Sequence, residues 1–423
     1  YGILGVILDR TFGNIIRMLR VIRLPKEERG HLSWTFVGTL AVILAYGLIM
    51  MFSASYSSGY TNHGGNIYYF IKPQAIVAAV GFVVMLGVSL INYRALRYMF
   101  WTFYVITLAL LVLALFMPSD NNGCYRWVYL PGGMSLQPSE LAKFAVILGT
   151  ADILDHHQRE IKSLFQCVFK PACLLIPILV LLRLEPHNSA MLLMAMIFAT
   201  MLVCAGAGGV KLWAVVVPAG AAVLVYFIKS LASGDGYASE RLGGVWGLTP
   251  TNTAGMQWQT LQSIYAICTG GLFGVGIGNS VQKHQWLPYA ENDFIFAVIG
   301  EELGFVGALA LIALFAALLV QGVCIALRAP DLYGTLLGIG IISQVGWQVF
   351  LHIGVGTALL PNTGISLPFF SSGGTSLLLL LGEMGVMLSI SRAGNAREKR
   401  LADQHRAETE RILQHSRYRK TTV

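Results

Sequence analysis

Leu287-Pro-Tyr-Ala-Glu-Asn-Asp-Phe-Ile-Phe-Ala-Val-Ile-Gly-Glu-Glu-Leu-Gly304 closes a long polar loop and opens a long apolar run, with the carboxylate of Asp293 at the seam. An acid where a membrane helix begins can be a helix cap or a proton-accepting base. The flanking chain has to decide between the two.

Of the 423 residues 55% are hydrophobic and only 12% are charged, against about a quarter charged in a soluble domain. Mean hydropathy is +0.65. This is the composition of an integral membrane protein. The net charge of +8 sits in short clusters between apolar runs and in the tail, the distribution that orientation in a bilayer requires, so nucleic acid is not expected as a partner. The cysteines at 124, 167, 173, 204, 268 and 324 lack metal-ligand spacing and read as structural filler.

A membrane crossing needs about 20 mostly apolar residues. Ten such runs are expected, at 33–54, 72–91, 99–117, 138–155, 169–184, 189–207, 211–230, 293–327, 332–355 and 372–391. Lys and Arg mark alternate connections: Arg17 to Arg29, Arg94 and Arg97, Arg159 and Lys162, Lys211, Arg328, and the stretch from Arg392 onward. The intervening short connections hold only Arg126. By the positive-inside rule both termini are cytoplasmic. The expected organisation is a cytoplasmic amphipathic segment (1–30), spans one to seven (31–230), an extracellular loop (231–292), spans eight to ten (293–393) and a basic cytoplasmic tail (394–423). Within the first segment, Ile3 to Arg23 interleaves apolar residues with arginines and suits a helix lying on an anionic membrane face.

Ionisable groups in spans are costly and are functional candidates by default. Glu140 and Lys143, three apart on one helix, can neutralise each other. Asp152 and Asp155 are expected to be solvated at a cytoplasmic end, and Arg183 and Glu185 to sit at an outer end. Glu301 and Glu302, about 12 Å below Asp293 at helical rise, are read as packing against polar groups of neighbouring helices.

Two outward loops carry special backbone. In Arg126 to Lys143 an Arg and a Trp precede Gln-Pro-Ser and a new helix; such a pair can grip a phosphate and stack on a sugar, or simply anchor the interface. In Leu360 to Ser376, prolines, glycines and hydroxyls at membrane depth must line a cavity or be buried in protein. Ser371 to Ser376 would present backbone N–H groups and hydroxyls to an anion, or form an unliganded cap.

Taken together, Arg126-Trp127, Gln137-Pro-Ser-Glu-Leu-Ala-Lys143, Gln262-Ser263, Gly270-Gly-Leu-Phe-Gly274, the Asp293 to Gly304 run and the Leu-Pro, Thr-Gly, Leu-Pro-Phe, Ser-Ser-Gly-Gly-Thr-Ser series resemble the SEDS family of ten-span peptidoglycan glycosyltransferases. Gly278-Asn-Ser-Val-Gln-Lys283 is more similar to its FtsW/SpoVE branch than to its RodA branch. The resemblance implies polymerisation of lipid II outside the cytoplasmic membrane, with Asp293 as the essential acid and Trp127 as an important loop residue. A carboxylate would take the proton of the attacking hydroxyl, and cations or backbone donors would meet the charge of the undecaprenyl diphosphate leaving group. Arg126, Lys283 and Arg241 are the cationic candidates. Gln262, Ser263, Glu291, Ser371, Ser372, Thr375 and Ser376 are further substrate-binding candidates, while Glu140, Lys143, Glu301 and Glu302 are read as structural. No protein-held metal is called for, although a divalent cation, Mg or Mn, could accompany the diphosphate. Expected partners are lipid II, membrane lipids, a class B penicillin-binding protein and other divisome or sporulation proteins. A lipid II flippase and a non-catalytic scaffold for a transpeptidase are the rival readings.

The chain also departs from that family's pattern. Tyr289 stands where a glutamate is usual and Glu291 follows two residues later; a common Gln-Pro-Asp reads Glu185-Pro-His187; Glu383 puts an acid in the last span; and residues 243–256 lack the usual Asp-Pro pattern.

Overall fold

Lipid offers no partner to a peptide group, so a long apolar run can cross a membrane only as a helix bonded to itself. The computed structural model, which describes residues 22, 25, 28–118, 125–129, 135–158, 165–206, 256–371 and 373–421, is built on that rule. Its helices are α1 (Trp34–Asn62), α2 (Ile71–Val88), α3 (Ala95–Ala114), α4 (Pro138–His156), α5 (Lys170–Leu184), α6 (Asn188–Cys204), α7 (Met256–Gly270), α8 (Ile295–Leu327), α9 (Leu332–Gly356) and α10 (Gly374–Thr421). A two-stranded antiparallel ribbon, β1 (Val128–Tyr129) and β2 (Ser135–Leu136), precedes α4. Among the described residues seven helices are long and apolar enough to cross a membrane. The chain is a polytopic all-α membrane protein. The expected span at 211–230 and the candidates Arg241 and Ser372 lie outside the described residues, as does most of the segment 3–23.

Sequence accounts for the helix ends. Pro138 opens α4 with the fixed φ of a first helical position, after an extended Gln137. Asp331 caps α9, accepting the Gly334 N–H at 2.7 Å. Close helix approach uses small residues: α10 lies along α2, with Gly81 against Leu381 and Gly385 against Met85. The far ends of α3, α4 and α9 are laced by charge. Arg94 pairs with Glu28 at 2.7 Å and Asp331 at 2.6 Å, and Arg97 with Asp152 at 2.7 Å and with Asp155. Asp152 and Asp155 are therefore half-buried ion-pair partners where solvated carboxylates were expected.

The 33-residue α8 is two helical pieces joined at Gly304, whose φ of 67° and ψ of −165° belong to no helix. The break strands peptide groups on both sides, and residues 271–276 satisfy them. Val275 and Gly276 N–H donate to the Glu301 and Glu302 carbonyls, both at 2.9 Å, while Phe305 and Val306 N–H donate to Gly271 and Leu272 at 2.9 and 3.1 Å. Gly274, at φ 80°, permits this approach, since a Cβ there would stand 2.1 Å from the Glu302 carbonyl oxygen. The two carboxylates then seal the loop that follows. Glu301 accepts from Ser280 Oγ and, at 2.9 Å, from Val281 N–H. Glu302 accepts from Ser53 of α1 at 2.6 Å and pairs with Lys283 at 2.8 Å.

Within the stretch expected to connect spans seven and eight lies α7, and α10 runs on as helix through the basic tail to Thr421. Asp293 precedes α8, which starts at Ile295 with Phe294 as N-cap and no side-chain capping bond.

The buried Lys283–Glu302 pair gives the first prediction. Lys283→Met leaves an uncompensated acid and should destabilise the protein by about 3–5 kcal/mol, seen as an earlier thermal transition in detergent. The double variant Lys283→Met/Glu302→Met should regain most of that loss; no regain would show that the pair does not hold the loop.

Candidate active site

At the end of the bundle where α8 begins, the helices part around a cavity of ≈ 520 Å³. Its wall comes mainly from five parts of the chain: Arg126, Trp127 and Tyr129; Gln137, Ser139, Glu140 and Lys143 at the α4 start; His187; Tyr289, Asn292 and Asp293; and residues 364–369, Ser371 and Gly373 with Ser376 of α10. Gln348 of α9 adds a polar group, and Leu193, Leu377 and Leu380 add an apolar patch. A concave site with a few convergent polar groups is the usual form of a ligand pocket.

Asp293 is held by its backbone. The N–H groups of Asn292 and Asp293 both donate to the Tyr289 carbonyl at 3.0 Å, and Ser371 Oγ donates to the Asn292 carbonyl at 2.8 Å. Ser371 Oγ also accepts the Leu367 N–H at 2.9 Å, and the Ser371 carbonyl accepts from Gln74 at 3.2 Å. One hydroxyl thus ties the Leu367–Ser371 turn to the segment carrying Asp293. Opposite, Lys143 and Glu140 form an ion pair at 2.8 Å in which the Lys143 side chain is 2% exposed. This pair, read as structural, stands in the cavity wall.

The other sequence candidates divide by position. Arg126, Trp127, Asp293, Ser371 and Ser376 line the cavity together. Thr375 Oγ1 donates to the Ser135 carbonyl at 2.9 Å, fastening α10 to β2. Ser263 donates to the Gly356 carbonyl at 2.7 Å, and it and Gln262 are buried where α7 meets the end of α9. Lys283 stands outside the cavity wall: its ammonium is consumed by Glu302, Ser53 and the Gly278 carbonyl, which corrects its reading as a diphosphate ligand. Glu301 and Glu302 are buried in the loop lock described above.

The Tyr289 and Glu291 departure is resolved geometrically. Tyr289, at φ 55°, takes the cavity side. Glu291 turns to α1, where Ser58 Oγ is 3.5 Å away, and burial raises its pKa. Glu185 is buried at the end of α5, and burial, opposed by the Arg126 charge, pushes its pKa up to about 8.

Sequence reading missed a polar stripe on α9. Gln344, Gln348 and His352, spaced by four, share one face. Gln344 donates to Glu383 at 3.0 Å, Gln348 lines the cavity, and His352 Nδ1 meets the Ile365 carbonyl at 2.9 Å. The spacing was the available signal. Among the described residues, no three His, Cys, Asp or Glu side chains gather in a metal-binding group. The cavity's acids do not fit a protein-held metal, since Glu140 is already engaged by Lys143.

Comparison with known proteins follows the same lines. A family model described as cell cycle protein, FtsW/RodA/SpoVE, matches residues 33–396. Stage V sporulation protein E of Bacillus subtilis (strain 168) is 38% identical over 356 residues, covering 83% of this chain and 94% of the relative. The probable peptidoglycan glycosyltransferase FtsW of Geobacter metallireducens is 36% identical over 364 residues, covering 83% of this chain and 92% of the relative. Among solved structures, a chain from a peptidoglycan synthase complex that coordinates polymerization and crosslinking superposes with a TM-score of 0.70 at 25% identity, over 86% of this chain and 98% of that one. Rod shape determining protein RodA of Thermus thermophilus does so with a TM-score of 0.62 at 26% identity, over 85% and 97%. The chain belongs to the FtsW/RodA/SpoVE family of cell cycle proteins.

Proposed function

We propose that this protein is a peptidoglycan glycosyltransferase that polymerises lipid II into glycan strands at the outer face of the bacterial cytoplasmic membrane, in cell division or sporulation. The observation that carries the reading is the cavity itself, where Asp293 shares a wall with Arg126, Trp127 and the Glu140–Lys143 pair. The relatives named as glycosyltransferases support it.

The residues divide the chemistry as follows. A sugar hydroxyl of one substrate attacks the anomeric carbon of another; a new glycosidic C–O bond forms and the bond to diphosphate breaks. Asp293 accepts the hydroxyl proton, and undecaprenyl diphosphate leaves with the bonding electrons. Arg126 faces the charge developing on the diphosphate, while Trp127 offers a face for a sugar. A divalent cation, Mg or Mn, is proposed only as a companion of the diphosphate, and no step is routed through it.

Partner and orientation belong to the same proposal. A class B penicillin-binding protein is the expected transpeptidase partner, which the synthase-complex neighbour supports, together with other divisome or sporulation proteins. Charge alternation supports two cytoplasmic termini and an outer loop over 231–292. Against a flippase, which would want acids free to relay through the membrane, Glu301 and Glu302 are locked by Ser280, Ser53 and Lys283.

Two predictions test the roles. Asp293→Asn should lower lipid II polymerisation by about 10²-fold or more, the scale of general-base catalysis, with an unchanged thermal transition; near-normal turnover would remove Asp293 as the base. Ser371→Ala breaks a two-bond tether worth about 1–3 kcal/mol and should reduce kcat by roughly tenfold with little effect on KM. A purely KM effect would instead make Ser371 a ligand.

A further inference from the structure

Residues 362–365 lead from the end of α9 into the cavity wall, and three helices grip them almost residue by residue. Asn362 Nδ2 donates to Gln259 Oε1 of α7 at 3.0 Å, and Asn362 Oδ1 accepts the Gly364 N–H at 3.1 Å. The Thr363 carbonyl accepts from Ser189 Oγ of α6. The Ile365 carbonyl meets His352 Nδ1 of α9 at 2.9 Å. A carbonyl can only accept, so Nδ1 carries the ring hydrogen. His352 is 1% exposed and its Nε2 has no hydrogen-bond partner. A second proton there would be a buried charge without a partner, so the ring is a neutral donor with one bond to give, and it gives it to this segment.

What these grips hold in place is a bare Cα. Gly364 has a φ of 64° and lines the cavity. A Cβ there would stand 3.8 Å from Asp293 Oδ2, and among the described residues no other heavy atom beyond the chain neighbours of Gly364 lies within 4 Å of that point. The space beside the carboxylate on this side is therefore open to the cavity. A hydroxyl donating to Oδ2 from there sits about 2.8 Å away, and a methyl at residue 364 would crowd it, since carbon contacts need about 3.5 Å. We propose that Gly364 is the gap through which the attacking sugar hydroxyl reaches Asp293, and that His352 is a positioning residue that keeps the gap open through the Ile365 carbonyl. The inference rests on the proposed glycosyltransferase reading and deepens it by assigning the acceptor's side of the cavity. The hydroxyl oxygen bonds to the anomeric carbon, its proton passes to Asp293 Oδ2, and the diphosphate departs with the bonding electrons.

Lipid II polymerisation by the purified full-length chain, with kcat and KM separated, tests both residues. Gly364→Ala should lower kcat by about 10²-fold, the scale of a roughly 1 Å misplacement of reacting groups, with KM changed by less than about twofold. A positive φ strains most side chains, so Gly364→Asn, which tolerates that region but carries the same Cβ, should lose as much. Recovery by Asn would trace the loss to backbone strain and overturn the gap. His352→Leu should lower kcat by about tenfold. His352→Asn, whose amide nitrogen falls near the place of Nδ1, should regain most of that loss, and His352→Gln, whose amide reaches toward the place of Nε2, should not. Equal loss in all three His352 variants, or a loss confined to KM, would overturn the positioning role. Should the Gly364 variants fail to fold, His352→Leu against His352→Asn decides. Absence of polymerisation by the wild type would instead strike the proposed function, and carbodiimide labelling of Asp293, followed by mass spectrometry, then judges the gap without turnover. Gly364→Ala should slow that labelling severalfold; an unchanged rate is fatal to the inference.

Discussion

A peptide group inside a membrane protein cannot be left to lipid, and the break in α8 at Gly304 makes that rule the organiser of the end of the bundle that holds the cavity. The carbonyls of Glu301 and Glu302 and the N–H groups of Phe305 and Val306 lose their helical partners there and recover them from residues 271–276. That docking needs glycine at the approach and brings the following loop against α1 and α8. The carboxylates of the same two glutamates face that loop and take its N–H groups, its serine and its lysine. Each element of the lock is demanded by the one before it. The loop emerges from it at Leu287 and has only a few residues to run before Asp293, whose place in the cavity wall is therefore set by a broken helix rather than by a helix cap.

Much of this was legible in the sequence, and the losses have physical reasons. Apolar run length located the helices at every expected span among the described residues, because membrane thickness is a strict ruler. That Arg126, Trp127 and Asp293 face one cavity could be anticipated because each stands next to irregular backbone between helices, where binding groups are commonly placed. Lys283 misled: its partners Ser53 and Glu302 are distant in sequence, and nothing local distinguishes a lysine that binds an anion from one that neutralises a buried glutamate. Ser371 was read as a ligand for the same reason, although its hydroxyl spends its donor on the Asn292 carbonyl. Helix α7 was hidden by its Gln, Thr and Ser residues, which resemble loop composition until Ser263 is seen to cap the carbonyl of Gly356. The α9 stripe of Gln344, Gln348 and His352 was in plain view, masked by the apolar average of its span.

The charge arrangement of the cavity follows from where neutralisation is already complete. Lys143 and Glu140 cancel each other at 2.8 Å, which keeps two charges in the wall at low net cost. Glu383 lies within electrostatic reach of both and is held by Gln344. Arg126 is the other cation of the wall, supplied from the stretch just before β1.

The exchange of Tyr289 and Glu291 then becomes intelligible. Glu291 faces Ser58, is buried and does not line the cavity, so its position offers the cavity neither a second base nor a proton donor. A sugar transfer from an alkoxide-like leaving group would suffer from that loss, because such a group needs protonation as it departs. A diphosphate needs only its charge neutralised. With Tyr289 on the cavity side and Asp293 the acid that this segment contributes to the cavity wall, the site retains what the proposed reaction demands: one base for the attacking hydroxyl and a cation for the leaving group. The second carboxylate is dispensable to that chemistry, and the chain has turned it away from the cavity.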